Sequence, residues 1–145
     1  MNKFLLFLVV FLFVHAAQAG STVRVESKNN LQATTKLYLD ALKSANVPLR
    51  EKKTFTQKLP GGFSREGEEI IFTNPFYGWH LGECHRGERK DKPMTTRIFK
   101  DNNGHVWLEY TQADAWINEF GVIECGNEND MVRRVLTGFA DAATE

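Results

Sequence analysis

The stretch MTTRIFKDNNGHVWLEY, residues 94–110, decides the fold that the sequence predicts. Two runs of strand-forming residues flank Asp101-Asn102-Asn103-Gly104, a sequence typical of a tight turn. Alternation along the second run gives it two faces, with Val106, Leu108 and Tyr110 on one and His105, Trp107 and Glu109 on the other. The stretch therefore predicts an antiparallel β-hairpin.

The segments before the hairpin predict two or three further strands and one helix. Residues 22–27 alternate as a half-buried strand does, and residues 52–57 are a possible strand before a Gly- and Pro-marked loop at 59–68. The run Ile70-Ile71-Phe72 suits a buried central strand that ends at Asn74-Pro75. Between the first two strands, a helix is predicted from an Asn29–Gln32 capping box to Asn46 and Pro48. Its apolar positions are Leu31, Tyr38, Leu42 and Ala45.

Two helices are predicted after the hairpin. Residues 112–121 indicate a short helix that ends at Gly121. Residues 127–144 indicate a longer helix. Glu128 and Asp130 lie near its N-terminus, and an apolar stripe follows them in the sequence. The element order predicts an α+β fold, in which an N-terminal helix and two C-terminal helices pack on a mostly antiparallel sheet.

The first 19 residues have the pattern of a secretory signal peptide. Lys3 precedes Phe4–Val14, eleven residues without a polar side chain, and Ala17-Gln18-Ala19 forms an A-x-A cleavage site. Residues 20–145 are then one α+β domain, exported to a periplasmic or extracellular compartment and without a membrane segment after cleavage. Of 18 Lys and Arg residues, removal of Lys3 leaves 17 against 18 Asp and Glu. This balance gives no global basic field for nucleic acid.

The two cysteines, Cys84 and Cys125, are expected to form a disulfide. An oxidising compartment and an even cysteine count both favour the bridge. It would close a loop of about 42 residues, worth on the order of 4 kcal/mol in the loop-entropy model.

Several motifs together resemble the domain of unknown function 302 family. They are a strand ending in Asn74-Pro75 with Gly78 and Leu81 soon after, a proline (Pro93) leading into the hairpin, and a closing amphipathic helix. The resemblance spans roughly residues 22–142 and implies a small α+β fold, but no activity. Residues 76–92, FYGWHLGECHRGERKDK, are more charged than the family pattern.

This charged segment also holds most of the candidate ligand-binding residues. Aromatic and cationic side chains of this kind can line a site for a small organic anion or a protein. The predicted set is Trp79, His80, His85 and Arg86, with His105 and Trp107 as neighbours. The alternative is an enzyme or a redox or metal protein that uses Cys84 with His80 and His85. Against this stand the expected disulfide, which would consume the thiol, and the absence of C-x-x-C and H-E-x-x-H.

We therefore expect an exported binding or accessory protein rather than an enzyme. Its partner would be a small ligand or a protein, bound through the loop after Asn74-Pro75, and a homodimer is a further possibility. No motif in the sequence calls for a metal or another cofactor.

Overall fold

A computed structural model describes residues 22–75, 92–119 and 126–145 of the 145-residue chain. The strands of the described residues are β1 (Thr22–Ser27), β2 (Leu49–Lys58), β3 (Ser64–Phe72), β4 (Met94–Lys100) and β5 (Val106–Thr111). The helices are α1 (Leu31–Ser44), α2 (Ala113–Glu119) and α3 (Gly126–Thr144), and a short 3-10 turn spans Pro60–Gly62. The strands form one antiparallel sheet in the order β1-β5-β4-β3-β2. The α+β class predicted from the sequence is confirmed.

The hydrophobic core lies between one face of the sheet and the helices. Ile70, Ile98 and Leu108 from the three inner strands are completely buried. Tyr38 of α1 makes edge-to-face ring contacts with Phe72 of β3 and Phe139 of α3, with centroids 6.1 and 6.3 Å apart. The aromatic ring of Tyr38 therefore joins the sheet and both long helices.

The predicted hairpin is present, and its alternation follows the predicted faces. Ile98 on β4 pairs with Leu108 on β5, and both side chains face the helices. At the turn, the amide of Gly104 donates to the carbonyl of Asp101 at 3.1 Å, and Gly104 has a φ of 86°. A positive φ favours glycine, which has no Cβ to clash with the backbone.

Helix α1 begins one residue later than the capping box predicted. The N-cap is Asn30, whose side-chain oxygen accepts from the amide of Ala33 at 2.8 Å. Asn29 instead donates from Nδ2 to the carbonyl of Ala143, near the end of α3. Two adjacent asparagines offer the same capping chemistry, and the tertiary contact of Asn29 decides between them.

The predicted end of α1 is confirmed. Asn46 has a φ of 55°, and its amide donates to the carbonyl of Lys43. The amide of Val47 then donates to the carbonyl of Leu42, which completes a Schellman motif. Ala45, predicted as one of the apolar positions of the helix, is its exposed C-cap. Thr34 and Thr35 are buried on the inner face of α1.

Strands β2 and β3 are longer than the sequence predicted. The predicted strand at 52–57 extends to Leu49–Lys58, and the predicted loop at 59–68 is wrong from Ser64 onwards, where β3 begins. Polar residues occupy both faces of the first half of β3, so no apolar alternation marks this half as a strand. The predicted apolar run lies on an inner strand, as expected. Ile70 and Phe72 face the helices, whereas Ile71 points to the opposite face and is half-buried.

The expected signal peptide, residues 1–19, lies outside the described residues. Within the part of the chain that the structure describes, no helix is both long enough and apolar enough to cross a membrane.

Candidate functional site

Most of the predicted site falls outside the described ranges. Trp79, His80, Cys84, His85 and Arg86 all lie between residues 76 and 91, and Cys125 lies between 120 and 125. Their arrangement and the Cys84–Cys125 disulfide therefore stay predictions. Two predicted site residues, His105 and Trp107, are described, and both lie at the β4–β5 hairpin.

Asp101 organises this hairpin turn and engages Trp107. One carboxylate oxygen, Oδ1, accepts from the amides of Asn103 and His105, both at 2.9 Å. The other, Oδ2, accepts from the indole Nε1 of Trp107 at 2.9 Å. Hydrogen bonding to Trp107 is the main reason why the pKa of Asp101 lies below its ordinary value. The polar atom of Trp107 is thus used within the turn, and its ring remains as the surface available to a ligand.

His105 links the hairpin to the end of β1. Its Nδ1 lies 2.7 Å from Oε1 of Glu26, and both side chains are about half exposed. His105 also lines a polar cleft of about 560 Å³ between the hairpin and the start of α1, together with Lys28 and Lys100. The predicted ligand-binding role of His105 and Trp107 stays a prediction.

The face of the sheet turned away from the core, here called the open face, carries a row of charged side chains of alternating sign. Cross-strand pairing places one member on each strand, in the order Arg24, Glu109, Arg97, Glu69, Lys53. Glu109 accepts from Arg24 at 2.7 Å. Glu69 accepts from Arg97 at 2.8 Å and lies 3.3 Å from Nζ of Lys53. We call these five residues the charge row.

The cationic side chains of the charge row are more exposed to solvent than its carboxylates. The carboxylate side chains of Glu69 and Glu109 are 12% and 17% exposed, against 43% for Arg24 and 45% for Arg97. The hydrogen bond from Arg97 is the main reason why the pKa of Glu69 lies below its ordinary value. The open face therefore presents three cationic groups to solvent, above two carboxylates that neutralise part of their charge.

Two residues further along each strand, on the same open face, lies a second row that includes three aromatic side chains. Its order across the sheet is Glu26, Trp107, Phe99, Gly67, Phe55. Phe99 is only 2% exposed although it lies on the open face. The guanidinium groups of Arg24 and Arg65 lie 5.4 and 4.9 Å from its ring centroid. Cation–π contacts of this kind shield an aromatic ring from water while the charges stay solvated.

Gly67 allows the close approach of these strands. A Cβ at this position would lie 2.1 Å from the carbonyl oxygen of Ile98 and 2.7 Å from Cα of Phe99. The missing side chain also brings Phe55 to 6.4 Å from Phe99, centroid to centroid. A glycine in a strand interior often marks such a close backbone approach.

A second, largely apolar cleft of about 560 Å³ opens beside Asn74 and Pro75. It lies between the α1–β2 turn, the end of β3 and one side of α3. Val47, Pro48, Val135 and Phe139 supply apolar walls, and Asn46, Thr73 and Asn74 supply polar groups. Gly138 also lines the cleft, and a Cβ built there meets nothing within 4 Å. We call this the Asn74 cleft.

The charge row and the Asn74 cleft were not predicted from the sequence. The row becomes visible only when five strands are aligned in register, which no local pattern supplies. The Asn74 cleft had a partial signal, because the Asn74-Pro75 motif had already marked this end of β3. Within the described ranges, no group of three or more His, Cys, Asp or Glu side chains is placed to hold a metal ion.

The described residues define a small α+β domain, with one antiparallel sheet covered on one face by helices. The crystal structure of an uncharacterized conserved protein DUF302 from Bacillus stearothermophilus is similar to it, with a TM-score of 0.61. The match covers 86% of this chain and 99% of that chain at 12% sequence identity, so it shows likeness of fold. The fold implied by the resemblance to the domain of unknown function 302 family is confirmed. No family model and no curated protein matches the chain.

Proposed function

We propose that the protein is a binding or accessory protein that takes a small, largely apolar organic ligand in the Asn74 cleft. The observation that carries the proposal is the cleft itself, because its volume of about 560 Å³ suits a small molecule. Ligand sites are commonly clefts of about 300–1,000 Å³ with apolar walls and a few polar groups. The Asn74 cleft has this composition.

The position of the cleft also supports the proposal. Asn74 and Pro75 form part of its wall, and the candidate segment that begins at residue 76 follows them directly in the chain. A ligand in the cleft would therefore lie next to the start of the segment in which this chain departs from the pattern of the domain of unknown function 302 family. Phe139 is packed against Tyr38 at its back, so the apolar wall is held by the core.

Export is part of the same proposal, and so is the Cys84–Cys125 disulfide. Two measurements test them on protein expressed from the full sequence. The N-terminus of the purified protein is expected near Gly20, and thiol titration under denaturing, non-reducing conditions is expected to find no free thiol. Retention of residues 1–19 would contradict export, and two free thiols would contradict the bridge.

Ligand binding is tested by blocking the cleft from α3. Gly138→Leu would fill the cleft from a position where a Cβ meets no neighbour. Because Leu favours a helix over Gly by roughly 0.8 kcal/mol, the variant is expected to fold at least as well as the wild type. The matched control is Thr137→Leu, an exposed neighbour on the same helix that does not line the cleft.

The probe is 1-anilinonaphthalene-8-sulfonate, titrated by fluorescence. We expect saturable binding to the wild type and to Thr137→Leu, and an affinity lower by about tenfold or more in Gly138→Leu, equivalent to about 1.4 kcal/mol. Equal affinity in all three proteins, or no saturable binding to the wild type, would overturn the proposed site.

A further inference from the structure

The sheet has two edges, and they are built differently. Strands β1 and β2 are the outermost strands of the described sheet, so the outer side of each has no strand partner among the described residues. Such an edge presents a row of backbone donors and acceptors on which another strand can pair. Proteins that remain monomeric protect these edges by charges, bulges or cover.

Edge β2 carries this protection. Lysines stand at positions 52, 53 and 58, and nearly the whole strand is exposed. The pairing with β3 also shifts register between Leu49 and Glu51. A bulge together with several lysines disfavours the addition of another strand at this edge.

Edge β1 lacks both devices. Its pairing with β5 is regular from Thr22 to Ser27, and its two charged residues, Arg24 and Glu26, have opposite signs. On the core-facing side, Val23 and Val25 are only half-buried, because the sheet stops at this strand. The exposed edge strand is thus regular, contains β-branched residues and has balanced charges.

We propose that β1 pairs antiparallel with β1 of a second copy, around a two-fold axis at Val25. In this register Arg24 of each copy lies opposite Glu26 of the other, and Val25 lies opposite Val25. A two-fold interface brings the same patch of both copies together, so the patch must be self-complementary. The spacing of Arg24 and Glu26, one residue either side of Val25, meets this requirement.

Neighbouring registers do not meet it. A shift of two residues in one direction sets Arg24 opposite Arg24, and a shift in the other direction sets Glu26 opposite Glu26. Like charges directly opposite on neighbouring strands are destabilising. A slip of one residue would turn the charged side chains of one copy to the valine face of the other. The charges therefore select a single register.

The charge row of the open face supports the same pairing. Within one copy the row ends at Arg24, whose inner neighbour is Glu109. Glu26 of the second copy would stand on the outer side of Arg24, at the strand spacing of about 4.8 Å. The alternation of sign would thus extend by one residue into the second copy, and two five-stranded sheets would become one.

The test is the oligomeric state of the protein expressed from the full-length sequence, measured by sedimentation equilibrium. The wild type is expected to be a dimer that dissociates as ionic strength rises. Arg24→Glu would set Glu opposite Glu, and Glu26→Arg would set Arg opposite Arg, so each single variant is expected to be monomeric. The double variant R24E/E26R restores opposite charges and is expected to dimerise again.

Two controls separate this interface from damage to the fold. Glu109→Gln removes the partner of Arg24 within the chain, and His105→Ala removes the partner of Glu26. Both are expected to remain dimeric, and circular dichroism checks that every variant is folded. A monomeric wild type, a dimer that neither single reversal affects, or a double variant that stays monomeric would overturn the proposal. Recovery of the wild type only in complex with a different protein would overturn it as well.

Discussion

The hydroxyl oxygen of Tyr38, on α1, lies 2.7 Å from Oγ1 of Thr96, on β4. Both residues are buried, with 2% and 0% of their surface exposed. Burial raises the pKa of Tyr38 far above its ordinary value, so the phenol keeps its proton throughout the physiological range. A neutral hydrogen bond therefore joins the first helix to the middle strand of the sheet, in the hydrophobic core.

A double-mutant cycle measures this bond. Tyr38→Phe and Thr96→Val each remove one partner and leave the other buried group unpaired, at a cost of roughly 1–3 kcal/mol. The double variant leaves no unpaired group, so its destabilisation should be smaller than the sum of the two by about 1 kcal/mol. Urea unfolding gives the three free energies. If the two losses simply add, the bond makes no net contribution to stability.

Gly67 and Gly138 should respond in opposite ways to replacement by alanine. At Gly67 the new Cβ would meet the backbone of Ile98 and Phe99, which cannot move without breaking the β3–β4 pairing. We expect Gly67→Ala to cost roughly 1–3 kcal/mol or more. Gly138→Ala, in open space on α3, should instead gain up to about 1 kcal/mol. Thermal unfolding of both variants tests the pair, and equal stability of the two would contradict the geometry at Gly67.

Glu69 should make stability depend on pH in the acid range. Because the folded protein holds its pKa below the ordinary value of 4.5, folding favours the carboxylate. This contribution is complete above that value and is lost as pH falls through the folded pKa. The stability difference between the wild type and Glu69→Gln should therefore shrink below about pH 4.5.

Arg97 supplies the control for this measurement. It is the main cause of the lowered pKa of Glu69, so the same comparison in an Arg97→Gln background should show a weaker pH dependence. Melting temperatures measured between neutral and acid pH provide the data. If the stability difference depends equally on pH in the two backgrounds, Arg97 is not the main cause of the lowered pKa of Glu69.

Local patterns predicted the parts of the fold in which one face is apolar. The β4–β5 hairpin follows from the alternation around Asp101-Asn102-Asn103-Gly104, and the end of α1 follows from Asn46 and Pro48. The start of β3 was missed because Arg65, Glu66 and Glu68 are polar on both faces. Its strand conformation is dictated by pairing with β2 and β4, which is information from elsewhere in the chain.

The candidate site was less predictable for a related reason. Trp107 and His105 were singled out as possible ligand neighbours, but their contacts with Asp101 and Glu26 depend on the turn geometry and on β1. Phe99 was predicted only as part of a strand. Its burial on the open face requires Arg24 and Arg65, which reach it from strands that are distant in sequence.

The pairing of the first strand with the last one has a consequence for how the chain folds. Strands β2 to β5 are adjacent in the sheet in the same order as in the chain, so they can assemble by successive local contacts. The contact between Arg24 of β1 and Glu109 of β5, in contrast, joins residues that are 85 positions apart in the sequence. Contacts between distant segments form slowly, because the intervening chain must first lose its freedom. We expect β1 to dock late, after β5 exists, so a chain still being synthesised would hold an incomplete sheet. If the protein is exported, as proposed above, the sheet would stay incomplete until β5 and α3 have crossed the membrane.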